Sequence, residues 1–151
     1  MKQKELKILL ADDDKDDCLL FREALAELQI PVNLSWVYNG EELMQLLTSF
    51  VDLPDILFLD LNMPRKNGFD CLIEIKQNEK LMHLPVITIS TSFEQAFINL
   101  LYQNGAQHYI RKPNEFIQLK LLIKKAIALS TSQNFSKPAK ENFVLIEELI
   151  T

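Results

Sequence analysis

The chain has 151 residues, 48% of them hydrophobic and 25% charged, with a net charge of -5. That length closes one domain with a short appendage, in the composition range of soluble globular proteins. The negative balance excludes a general nucleic-acid binder, whose phosphate contacts need a basic face.

In chain order, short β-rich runs alternate with stretches of helical period. The opening, MKQKELKILLADDD, has an apolar run too short for a signal-peptide core or a membrane span, which places the protein in the cytoplasm. Residues 6–12 read as a strand and 15–28 as an amphipathic helix, with Asp13 or Asp14 as its N-cap. A strand over 33–38 is followed by a helix over 39–50, opened by Asn-Gly with glutamates in its first turn. Then come a strand (55–60), a helix (68–78), a strand (85–90) and a helix (92–104) stopped by Gly105 as a left-handed cap. A strand (107–111) and a helix (113–130) with Pro113 in its first turn complete the set. The inner strands are continuous apolar runs, the mark of a parallel sheet covered on both faces. The expected fold is therefore a three-layer α/β/α sandwich, doubly wound with right-handed crossovers.

The composition turns polar at STSQNFSKPAKEN (130–142), so the core domain is expected over 1–130. Residues 131–151 form an extension that either folds back on the domain or lengthens a dimer contact. Cys18 and Cys71 make no CxxC pair or disulfide framework and read as buried free thiols. His83 and His108 have no partner pattern and read as surface or loop residues. The sequons at Asn33 and Asn134 carry no weight without secretion.

Every strand of a parallel α/β sheet ends at one edge, and ligands bind in the crevice outside those ends. The first strand delivers Asp12 and Asp13 there, the third Asp60, the fourth Ser90 and Thr91, and the fifth Lys112. The second delivers only Tyr38 and Asn39, as suits an edge strand. Three carboxylates this close repel and keep protons unless a cation sits among them. With no Cys or His on the rim the donors are hard oxygens, which suit Mg²⁺ with room left for a phosphate oxygen. Lys112 and the Ser90 hydroxyl then face the outer oxygens of a transferring phosphoryl group. An aspartate so placed can act as the nucleophile.

At these residues the sequence resembles the response-regulator receiver domain. The match consists of the pair Asp12-Asp13, Asp60 followed by LNMPRKNG, Ser90 after PVITI, and YIRKP with Lys112-Pro113. The resemblance implies the flavodoxin-like strand order 2-1-3-4-5 and the following roles. Asp60 is the phosphoacceptor, with Asp13, Asp60 and the Asn62 backbone carbonyl as direct Mg²⁺ ligands and Asp12 acting through water. Ser90 is the switch hydroxyl, Tyr109 the aromatic rotamer switch, and Lys112 the bridge to the phosphoryl group, with a cis Lys112–Pro113 bond. Ser90 stands where Thr is frequent, and Thr91 where Ala or Gly is common.

The PRKNG loop, the Ser-Thr pair and the lack of an output domain look most like stand-alone regulators that partner phytochrome-type histidine kinases. Such a regulator takes its phosphoryl group from a histidine kinase or phosphotransfer protein. It signals through protein contacts and catalyses only its own phosphorylation and dephosphorylation. An external phosphatase is the weaker reading, since Asn62 occupies the position two after Asp60 where a second general acid would stand. A constitutive interaction module is opposed by the intact Asp12, Asp13, Asp60, Ser90 and Lys112.

The fourth helix is expected to bury Phe93, Ala96, Phe97, Leu100 and Leu101, leaving Ile98 and Tyr102 outside its core stripe. The fifth leaves Ile117 and Leu121 outside. Four extra apolar residues on neighbouring helices point to a homodimer or partner face over helix 4, strand 5 and helix 5. No nucleic-acid or membrane partner is expected.

Overall fold

A computed structural model describes residues 5–92, 94–131 and 137–146. The elements are β1 (Leu6–Ala11), α1 (Lys15–Glu27), β2 (Val32–Val37), α2 (Gly40–Ser49), β3 (Ile56–Asp60), α3 (Gly68–Gln77), β4 (Val86–Ser90), α4 (Gln95–Gln103), β5 (His108–Arg111) and α5 (Phe116–Ser130). All strand pairs are parallel, in the order β2-β1-β3-β4-β5. The apolar runs explain the two covered faces. In β3, Leu57 and Leu59 join a core with Leu43 and Leu47 of α2 and Leu72 and Ile75 of α3. Their neighbours Ile56 and Phe58 point the other way, to Phe21 and Leu25 of α1 and Ile123 and Ile127 of α5. Phe21 and Phe58 meet edge to face with centroids 4.9 Å apart. β2 alternates between exposed and covered positions, as an edge strand does.

Helix ends follow their capping chemistry. Asp14 is the N-cap of α1, its side chain accepting from the N–H groups of Asp16 and Asp17. Asn39 and Asn67 cap α2 and α3 in the same way. Gly105 closes α4 at φ 91, a left-handed conformation that glycine adopts without a Cβ penalty. Two helices begin later than the sequence period suggests. α4 starts at Gln95, because Ser92 N–H turns onto Ser90 Oγ and Glu94 N–H onto Ser92 Oγ before the helix can form. α5 starts at Phe116, not in the turn of Pro113, since Lys112 N–H is still bonded to Ser90 O of the sheet. No cis peptide bond occurs among the described residues, so Lys112–Pro113 is trans rather than cis. An X–Pro bond prefers trans by only about 0.5–1 kcal/mol, so its surroundings decide the isomer.

The expected face of α4 is also corrected. Ile98 and Leu101 are buried, Phe97 and Tyr102 half-buried, and Ala96 and Leu100 exposed; Phe93 lies outside the described residues. The helix is apolar on every side but the stripe of Gln95, Asn99 and Gln103, so period alone leaves the buried face open. The chain after α5 selects between them. Residues 137–146 return along β5, where Val144 bridges Tyr109 in parallel. Tyr109 N–H donates to Phe143 O at 3.0 Å and Leu145 N–H to Tyr109 O at 2.9 Å. Phe143 and Leu145 are buried in opposite core layers, as alternate residues of a strand would be. Phe143 packs edge to face on Tyr102, whose hydroxyl donates to Pro138 O. The described part of the extension therefore folds back on the sheet. His108 is correspondingly not a surface residue: it is buried in β5, its Nδ1 3.2 Å from Phe143 O. Exposed His83 and the buried thiols Cys18 and Cys71 match expectation; Asn134 lies outside the described residues.

Candidate functional site

Register brings the rim together. Ala11 ends β1 beside Leu59, so Asp12 emerges level with Asp60; Asp60 pairs with Ile89 and Ser90 with Arg111. Asp12 and Asp60 are 3% and 2% exposed, whereas Asp13 faces solvent. Each is fixed by a nearby amide: Asp14 N–H donates to Asp12 Oδ1 at 3.0 Å, and Asn62 N–H to Asp60 Oδ1 at 3.2 Å. The loop after Asp60 is drawn tightly back. Arg65 sits at φ 66 inside a γ-turn closed by Lys66 N–H onto Pro64 O. Gly68 starts α3 so near Asp60 that a Cβ there would lie 2.3 Å from the Asp60 carbonyl oxygen. That close approach accounts for the glycine at the end of LNMPRKNG.

Carboxylate oxygens of Asp12, Asp13 and Asp60 all lie within 4.8 Å of one another. Burial raises the pKa of Asp12; burial and the charge of Asp12 together push Asp60 up to about 7. Burial and mutual repulsion thus disfavour the charged form of both carboxylates, a cost that a bound cation would relieve. An all-oxygen donor set with one exposed member fits a magnesium-sized ion that keeps water on its open side.

Lys112 reaches in from the end of β5. Its Nζ lies 3.3 Å from Asp12 Oδ2, 3.6 Å from Asp60 Oδ2 and 2.8 Å from Asp17 Oδ2. Burial works to lower its pKa, but the three carboxylates outweigh that and hold it above the ordinary lysine range. Sequence reasoning did not single out Asp17, because an acid in a first helical turn is already accounted for by the helix dipole. The available signal was position: side chains in a first helical turn tilt towards the helix N-terminus, here the rim.

Ser90 is buried at the end of β4, its Oγ accepting from Ser92 N–H at 3.2 Å. Tyr109 is buried in β5, and its hydroxyl donates to Ser92 O at 2.8 Å, in the loop that Ser90 opens. Thr91 is exposed beside them, and the Asn62 side chain is exposed across the rim. Burial and nearby acids push the Cys18 thiol up to about 12, and the thiol donates to Asp12 O at 3.4 Å.

A family model described as the response regulator receiver domain matches residues 8–124. The chain belongs to that family. Response regulator Rcp1 of Synechocystis sp. is 33% identical over 110 residues, covering 70% of this chain and 75% of Rcp1. The probable C4-dicarboxylate response regulator DctR of Bacillus subtilis is 31% identical over 125 residues, 83% of this chain but 54% of DctR. The chain thus spans about half of that longer relative. Among solved structures, the phosphorylated cyanobacterial phytochrome response regulator RcpA superposes with a TM-score of 0.79 at 33% identity, covering 90% of this chain and all of RcpA. The Mn²⁺-bound form of Rcp1 gives 0.73 at 28% identity, over 89% of this chain and 99% of that one. Receivers are signalling proteins of two-component systems rather than enzymes in the usual sense. Phosphorylation on an aspartate, with Mg²⁺ at an acidic pocket, is general to them. No described helix is long and apolar enough to cross a membrane.

Proposed function

We propose that this chain is a phosphorelay receiver that takes a phosphoryl group from a histidine kinase or phosphotransfer protein onto Asp60. The reading treats residues 1–130 as the receiver, 131–151 as its extension, and the cytoplasm as its location. The observation that carries it is the ammonium of Lys112, brought from β5 to within reach of both Asp12 and Asp60.

Asp13, Asp60 and the Asn62 carbonyl would hold Mg²⁺ directly, with Asp12 acting through water. When bound, the ion neutralises the carboxylates and the incoming phosphoryl oxygens. Asp60 supplies the attacking oxygen, already oriented by Asn62 N–H. As the new P–O bond forms, the bond from phosphorus to the donor breaks and the donor leaves with the electron pair. Lys112, whose ammonium already stands 3.6 Å from Asp60 Oδ2, neutralises an outer phosphoryl oxygen.

Ser90 donates its hydroxyl to the phosphoryl group, giving up its bond from Ser92 N–H. The loop movement that follows releases the Tyr109 hydroxyl from Ser92 O and gives that ring a second position. The change reaches partners at the α4–β5–α5 face, where Leu100 of α4 and Ile117 and Leu121 of α5 are exposed. A second copy of the chain is one candidate for that face.

Incubation with acetyl phosphate and Mg²⁺, followed by intact mass, tests the reading. One added phosphoryl group, absent from Asp60→Asn and in the presence of a chelator, is the expected result. No gain, or a gain that survives Asp60→Asn, would favour an interaction module that does not cycle phosphate.

A further inference from the structure

We propose that Asp17 is a positioning residue for phosphoryl transfer, holding the Lys112 ammonium on the α1 side of Asp60 so that an incoming phosphoryl group must draw it away. The inference rests on the reading of Asp60 as phosphoacceptor.

The three N–H bonds of Lys112 face three carboxylates, and the shortest contact is to Asp17, at 2.8 Å against 3.6 Å to Asp60. Asp12 and Asp60 are pinned at the rim by backbone amides, so neither can follow the ammonium. Asp17 belongs to a different element, the first turn of α1, and its side chain is 39% exposed, with water at hand when the pair separates. Asp17 and Lys112, already in contact, both line a cleft of about 70 Å³ with Asp12, Phe21, Pro113 and Leu119. The pair therefore ties α1 to the chain between β5 and α5.

Charge balance makes Asp17 the odd member. Asp12, Asp13 and Asp60 are matched by Lys112 and one divalent ion. Asp17 adds a negative charge that nothing else in the cluster offsets. It opposes uptake in two ways, by retaining the cation that the phosphoryl oxygens need and by repelling an anionic donor. In the transfer, Asp60 Oδ attacks phosphorus, the P–O bond of acetyl phosphate breaks, and acetate leaves with the electron pair. Lys112 must bond an outer phosphoryl oxygen as this happens, and its contact with Asp17 lengthens.

The test measures uptake from acetyl phosphate with Mg²⁺ across donor concentrations, using the full chain. Asp17→Asn is expected to raise the maximal rate about fivefold, the scale of one partly exposed ion pair. Asp17→Glu, which keeps the charge, should behave as the parent protein. In a Lys112→Gln background, Asp17→Asn should leave the maximal rate unchanged, because the effect acts through the ammonium. A shift in melting temperature without a change in maximal rate would overturn the inference and leave Asp17 a structural residue. So would a slower Asp17→Asn variant, an Asp17→Glu variant as fast as Asn, a gain seen only at subsaturating donor, or an equal gain without Lys112. No uptake by the parent protein would instead sink the reading of Asp60, and this inference with it.

Discussion

Lys112 and Lys76 are both half-buried lysines at opposite rims of the sheet, and they differ in what they meet. Lys112, at the carboxyl ends of the strands, faces Asp17, Asp12 and Asp60. Lys76, near the end of α3, donates to the carbonyls of Met82 and Leu84, at 3.2 and 2.8 Å, in the turn that leads into β4. Burial brings Lys76 down to about 8, because carbonyl dipoles do not replace lost hydration with a full countercharge. At Lys112 the same burial is outweighed by carboxylates. Carbonyls belong to the backbone and cannot be reassigned, so Lys76 is a structural tie. Carboxylates can take a metal ion in place of the lysine, and the ammonium can exchange a carboxylate for a phosphoryl oxygen, so Lys112 is available for chemistry.

Substituting each lysine should separate these roles. Lys112→Met is expected to lower phosphoryl uptake from acetyl phosphate about 10²-fold, the scale of losing one preorganised charge partner. Lys76→Met should leave uptake at the parent rate and instead lower stability by about 1–3 kcal/mol, through carbonyls left without a donor. Initial rates by intact mass and thermal unfolding measure the two. Equal effects of both changes on uptake would erase the distinction.

The pH dependence of unfolding sharpens it further. Asp60 holds a proton in the folded state up to about 7, against an ordinary value of 3.8. Its stabilising contribution is therefore complete below the ordinary value and is lost as pH rises through 7. Lys76 gives up its proton near 8 in the folded state, against 10.5 ordinarily. The unfolded chain then binds the extra proton, and stability recovers as pH rises from 8 towards 10.5. Asp60→Asn should flatten the falling limb, and Lys76→Met the rising one.

Saturating Mg²⁺ should raise the melting temperature at pH 8 and leave it nearly unchanged at pH 5, where protons compete for the same carboxylates. A comparable rise at both would place the ion elsewhere. The smallest effect is expected from Lys125, whose ammonium donates to Ile146 O on the extension. Lys125→Met should roughly double amide exchange at Tyr109 and Leu145 and leave uptake unchanged.

The sequence disclosed those parts of the molecule where one residue type has few reasons to be present. Apolar runs ended by aspartate, serine and lysine predicted both the strands and the rim, and the structure brings Asp12, Asp13, Asp60, Ser90 and Lys112 to one edge. Tyr109, singled out by its place in YIRKP, lies buried with its hydroxyl on Ser92 O. The failures share a cause, namely that a partner distant in sequence made the decision. The face of α4 was ambiguous because Ile98 and Leu100 are equally apolar, and Phe143 resolved it from outside the helix. His108 looked unattached until the same segment supplied the Phe143 carbonyl. Asp17 already had a sufficient local explanation as a first-turn acid, which concealed its contact with a lysine 95 residues away. Pro113 marked a helix start by its own preference, while Lys112 was still hydrogen-bonded to β4.

Borohydride trapping tests the central claim most directly. An acyl phosphate is reduced to an alcohol, so after incubation with acetyl phosphate and Mg²⁺ the peptide spanning LFLDLNMPR should carry homoserine at position 60. Its yield should fall with chelator and in Lys112→Met. Homoserine at Asp12 or Asp13, or aspartate unchanged at 60 in protein that has gained a phosphoryl group, would contradict the account.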